Sequence, residues 1–102
     1  MNIEQIITNI IAYSGECTSD MMEAIEYARN SEFENAKNSV KKGNDALLKA
    51  HELHTQLLYR EANGEKIEVN LLVIHASNHM SNAELLSNLV TVYLENLKVK
   101  KC

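Results

Sequence analysis

The chain has 102 residues, no proline, three glycines and a formal net charge of −4. That length holds one small domain, and an aromatic-poor composition rich in helix formers excludes a β-sandwich or barrel. Apart from a short KVKK run at Lys98–Lys101 there is no clustered basic face of the kind nucleic acid requires, and no apolar run is long enough to span a bilayer.

The N-terminal stretch MNIEQIITNI has a glutamate and lacks the positive start of a signal peptide, so a cytoplasmic protein is expected. Apolar spacing is helical through Ile3, Ile6, Ile7, Ile10, Ser14, Cys17, Met21, Ile25 and Ala28. The stripe crosses Gly15 in phase. It predicts one helix over residues 2–29 with a soft point at Ser14-Gly15, not two helices. Asn30-Ser31 is the first joint. Ser31 followed by Glu34 has the pattern of a capping box, so the second helix is expected from residue 31. It carries Phe33, Ala36, Val40, Leu47, Ala50, His54 and Leu57, and should stop at residue 62, before Asn63-Gly64, where glycine tolerates the left-handed turn that ends helices. The third helix is expected from Ile67 or Glu68 to about Lys98. Two short connections make the expected fold all-α, a three-helix up-down-up bundle in a single domain spanning residues 1–102. Cys17 and Cys102 form neither a disulfide framework nor a metal knuckle.

The third helix carries two stripes. One reads Leu72, Ala76, His79, Ala83, Leu86, Val90, Tyr93, Leu97; the other reads Leu71, His75, Asn78, Asn82, Leu85, Leu89, Val92, Asn96. Both alternate steps of four and three, the spacing of helix seams. A helix packed only on its own two partners needs one broad apolar face, so the second stripe points to self-association around that helix; the plainer alternative is a third helix buried on most of its circumference.

Four histidines invite chemical readings. His51 is expected at the solvated margin of the second helix and His54 as a hydrogen-bonded core residue. Their spacing of three spans one turn, without an evident third metal ligand. His75 and His79, four apart, have metal-ligand spacing on neighbouring faces. They lack the glutamate that follows the first histidine of a zinc-protease helix, since Ala76 stands there. Residue type alone favours a structural role for the pair, with a metal-binding bundle as a weaker reading.

The run from Ala50 to Met80, AHELHTQLLYREANGEKIEVNLLVIHASNHM, resembles the IIA component of the lactose/cellobiose (including chitobiose) class of the sugar phosphotransferase system. The matching residues are Glu61-Ala62, Gly64-Glu65, Leu71-Leu72 and His75 through Met80. Ser14-Gly15-Glu16 and Ser19 resemble the family's first helix, so the likeness covers essentially the whole chain. The resemblance implies a homotrimer with the third helices at its centre. It implies a phosphotransferase that accepts a phosphoryl group from the histidine-containing phosphocarrier protein and passes it to a cysteine of the IIB component. The reaction would drive uptake of a β-linked disaccharide such as lactose, cellobiose or chitobiose, with the membrane reached only through IIB and IIC. It implies that His75 is the acceptor, as a tele-phosphohistidine, and that His79, one turn on, supports it.

The chain also departs from the family. Relatives gather third-helix aspartates on the threefold axis around a divalent metal; Asn78 stands there, so no metal or other cofactor is expected. Ser77 replaces a glutamine, His54 a glutamine of the second helix, and Thr18 an arginine beside Ser19. These departures motivate an alternative, a non-catalytic regulatory or interaction homologue of the same trimer.

Overall fold

The computed structural model describes residues 1–100, with side chains through residue 97; the side chains of the Lys98–Lys101 run and Cys102 lie outside the described residues. Three helices follow in chain order: α1 (Ile3–Arg29), α2 (Phe33–Ala62) and α3 (Leu71–Lys100). They lie side by side in a rod of 54 × 19 × 18 Å, and no strand occurs among the described residues.

α1 starts with a capping box the sequence reading did not identify. The Gln5 N–H donates to Asn2 Oδ1 at 2.8 Å, and the Asn2 N–H donates to Gln5 Oε1 at 3.0 Å. Both satisfy amides that have no partner inside the helix. The helix runs unbroken through Ser14-Gly15. It ends differently from the expectation built on Ser31. Ser31 is not an N-cap; it sits at φ +61 as the left-handed residue beyond α1. Its N–H donates to the Ala28 carbonyl at 3.0 Å, and the Glu32 N–H donates to the Tyr27 carbonyl at 2.8 Å. This pair of bonds closes the last carbonyls of α1. α2 therefore begins at Phe33, capped by Glu32 without a side-chain hydrogen bond. The same motif ends α2 where the sequence places it: Gly64 at φ +93 donates to Glu61, and Glu65 donates to Arg60, both at 3.0 Å.

The largest difference is at the start of α3. Residues 65–70 form no helix or strand, and the helix begins at Leu71, four residues after Ile67. Asn70 is the cap, its Oδ1 accepting from the Val73 N–H at 3.0 Å. Ile67 packs half-buried against the core while Val69 is exposed.

The core joins Ile6, Ile10, Cys17 and Met21 of α1 with Leu47, Leu53 and Leu57 of α2 and Met80, Ala83 and Val90 of α3. α1 and α2 approach closely at Gly43. A Cβ there would stand 2.8 Å from Met21 Cε, 3.1 Å from Asp20 Cβ and 3.3 Å from the Cys17 carbonyl oxygen. α2 and α3 are pinned by polar contacts: Ser87 Oγ donates to Asn44 Oδ1, and His51 Nε2 lies 3.5 Å from Glu84 Oε2.

The two stripes of α3 separate cleanly. Ala76, Ala83 and Val90 of the first are buried, and Leu72, His79, Leu86 and Leu97 half-buried; Tyr93 alone is exposed. Every residue of the second is exposed, with Leu71 at 82% and Leu85 and Leu89 at 59%. Soluble monomers rarely leave so long an apolar ladder open.

Candidate functional site

Because Asn70 sets the start of α3, His75 falls one turn inside that helix, on the open stripe. Its side chain is exposed, and that of His79 is half-buried. Helical side chains lean toward the N-terminus, so His79 reaches back to His75. Their ring centroids are 4.3 Å apart and their planes cross at 80°. Among the described residues neither ring is held by a hydrogen bond or an ion pair. The imidazole of His75 is thus open to a visiting molecule. The first turn of α3 holds no acidic residue to oppose an incoming anion, and its free amides form the positive end of the helix dipole.

Asn78 and Asn82 share the exposed stripe with His75. Ser77 does not. Two residues of helix turn it by about 200°, and it lines a groove of about 110 Å³ on the other flank with Ile7, Ile10, His54 and Val73. His54 is a correction: it is half-buried at this groove and makes no hydrogen bond among the described residues, so it is not a satisfied core histidine. His51 stands at the margin of α2, opposite Glu84. Among the described residues no three His, Cys, Asp or Glu side chains converge to hold a metal. Thr18 is half-buried, and its Oγ1 donates to the Ser14 carbonyl at 3.1 Å. Ser19 is exposed.

Two other groups bear on the chemistry. Burial pushes the Cys17 thiol up to about 11, with the Asp20 charge adding to it, so this sulfur stays protonated and inert at neutral pH. Asp20, 5% exposed, has its carboxyl raised above the usual range, first by burial and then by Glu16 and Glu23, while Lys42 at 3.8 Å opposes the rise. The sequence reading missed Asp20. The available signal was its spacing of seven from both Tyr13 and Tyr27, half-buried side chains on the flank of α1 that meets α2.

Fold and site define a small all-helical protein that offers a paired imidazole at the open face of its third helix. The model of the family described as "PTS system, Lactose/Cellobiose specific IIA subunit" matches residues 5–98. The lichenan-specific phosphotransferase enzyme IIA component of Bacillus subtilis is 38% identical over 93 residues, covering 91% of this chain and 84% of that protein. The lactose-specific EIIA component of Staphylococcus epidermidis is 36% identical over 89 residues, covering 87% and 86%. The crystal structure of the PTS cellobiose-specific enzyme IIA from Bacillus anthracis superposes with a TM-score of 0.91 at 33% identity, covering 99% of this chain and 94% of that one. The class is that of the sugar phosphotransferase system, whose IIA components are phosphotransfer proteins working with phosphocarrier and IIB partners. This chain belongs to the lactose/cellobiose-specific IIA family. No helix of the described residues is long and apolar enough to cross a membrane.

Proposed function

We propose that His75 is the phosphoryl acceptor and that the chain relays phosphate in the cytoplasm toward uptake of a β-linked disaccharide such as lactose, cellobiose or chitobiose. The observation that carries this is the exposed His75 ring, free of polar partners and touched edge-on by His79. Neutral imidazole is nucleophilic near neutral pH. Its tele nitrogen attacks the phosphorus carried by the histidine of the phosphocarrier protein. The new P–N bond forms as the donor's P–N bond breaks, and the electron pair returns to the donor imidazole. In the second half the thiolate of a IIB cysteine attacks the same phosphorus, and His75 leaves with its electron pair. The protein's work is positioning and spreading of charge over the phosphoryl oxygens. An N–H of His79 is within one turn to donate.

Self-association accounts for the open stripe. Leu71, Leu85, Leu89 and Val92 are each more than half exposed among the described residues of one chain, and three copies packed along α3 would bury them about a threefold axis. Asn78 lies on that stripe. Its neutral amide does not fit the relatives' divalent-metal arrangement, because hard cations select charged carboxylate oxygens and the described residues supply no such cluster. Three carboxylates about 4 Å apart would repel by roughly 4 kcal/mol per pair at an effective dielectric of 20; amides instead donate and accept among themselves. The trimer is therefore expected to persist in chelator.

The test is incubation with phosphoenolpyruvate and the general phosphotransfer proteins. Acid-labile phosphate should appear on the wild type and vanish in His75→Ala. Label that survives the substitution, or none on the wild type with competent donors, overturns the assignment; binding without label would favour the non-catalytic homologue.

A further inference from the structure

Among the described residues two buried side-chain oxygens lack a hydrogen-bond partner, Asp20 Oδ2 and Ser14 Oγ, and the second has no role so far. Ser14, on α1, has none of its surface exposed, and its Oγ has no hydrogen-bond partner among the described residues. Its carbonyl is taken by Thr18, but the hydroxyl is free. Buried hydroxyls are almost always paired, so an orphan asks for a cause. Its position suggests one. α1 and α3 run parallel, and Cys17 Sγ lies 4.0 Å from the Ala83 carbonyl oxygen. One turn earlier on each helix, Ser14 comes level with His79 and Met80. Of these two, His79 carries ring nitrogens that nothing else among the described residues engages.

We propose that Ser14 is the positioning residue of His79. A neutral imidazole has one donor and one acceptor nitrogen, and the partner of one decides which bears the proton. A serine hydroxyl rotates freely and donates to the inner nitrogen of His79. The N–H of the ring is then held on the outer nitrogen, aimed at the phosphoryl group of His75. Without phosphate the His79 ring rests edge-on to His75 and the hydroxyl stays unpartnered; the bond closes when the ring turns to the charged group. Active-site hydrogen bonds commonly tighten only in the loaded state, and groups behind a working histidine set its tautomer. The inference rests on His75 as acceptor, but not on any partner protein.

The test uses potassium phosphoramidate, which labels an exposed imidazole without a donor protein. In 15N imidazole spectra of the labelled wild type, His79 should hold one tautomer; in Ser14→Ala it should populate both. The same variant should shorten the lifetime of phospho-His75 roughly fivefold, the worth of one neutral hydrogen bond. In a His79→Ala background the serine substitution should change nothing further. Ser14→Ala is close to isosteric and favours helix, and thermal unfolding checks that it folds. An unchanged tautomer and lifetime overturn the proposal and leave Ser14 a packing residue. Coupling seen with phosphoramidate, but no label from the phosphocarrier protein, would refute the relay reading while leaving this one standing. A His75 that phosphoramidate cannot label overturns both.

Discussion

The same substitution at two glycines should move stability in opposite directions. Gly15 and Gly43 both lie inside helices, where alanine is favoured over glycine by roughly 1 kcal/mol. A Cβ at Gly15 meets nothing within 4 Å, so Gly15→Ala should keep most of that gain, about 0.5–1 kcal/mol. At Gly43 the new carbon would lie 2.8 Å from Met21 Cε, 3.1 Å from Asp20 Cβ and 3.3 Å from the Cys17 carbonyl oxygen. Met21 ends in a flexible tip but is wholly buried, so its escape disturbs the core, and the α1 backbone must give as well. Overpacking costs roughly 1–3 kcal/mol. Subtracting the propensity gain leaves Gly43→Ala destabilised by up to about 2 kcal/mol. Urea unfolding at one fixed protein concentration reads both changes, since assembly makes stability concentration-dependent. In thermal scans a change of 1 kcal/mol is worth roughly 4–8 °C for a domain near this size. A Gly43→Ala chain as stable as Gly15→Ala would refute the close approach of α1 and α2.

Ser31 holds a positive φ of 61, a conformation that costs most non-glycine residues about 1 kcal/mol or more; Ser31→Gly should stabilise the chain by about 0.5–1 kcal/mol in the same assay, and a loss would contradict the left-handed joint. Burial raises the Asp20 carboxyl, so the folded state prefers it protonated: its contribution favours folding below the ordinary carboxylate range and is lost as pH rises through the raised value. Asp20→Asn should therefore stabilise at neutral pH, with the gain fading on acidification; a gain that grows toward acid pH would reverse the sign of the argument. Asn78→Asp should make assembly depend on divalent cations in sedimentation runs with and without chelator, and a variant indifferent to chelator would argue against placing residue 78 on the axis.

Much of this was legible because helical periodicity is strong where an element buries a face. The three helices, the stop at Gly64 and the two stripes of α3 all follow from spacing. Other features needed the partner surfaces. Ile67 keeps the helical phase of the run that follows, yet it lies in the irregular segment before α3, and only the Asn70 cap betrays the true start. Ser31 with Glu34 satisfies the capping pattern, but with so short a joint the last carbonyls of α1 claim the amides of Ser31 and Glu32 first. Gly43 and Asp20 become meaningful only once the crossing of α1 and α2 is known. At the candidate site, His75 and His79 were singled out from spacing and family likeness. Helix phase alone would have put Ser77 on the far flank, a step the sequence reading did not take, while the orphan hydroxyl of Ser14 belongs to a register between helices that no single stretch encodes.

The most direct measurement is 31P–15N correlation spectroscopy of uniformly 15N-labelled protein after phosphorylation by its donor proteins, with peptide mapping alongside. The account predicts one phosphoramidate signal per chain, coupled to the tele nitrogen of His75 and absent from His75→Ala. A signal coupled to His51, His54 or His79 instead would contradict it.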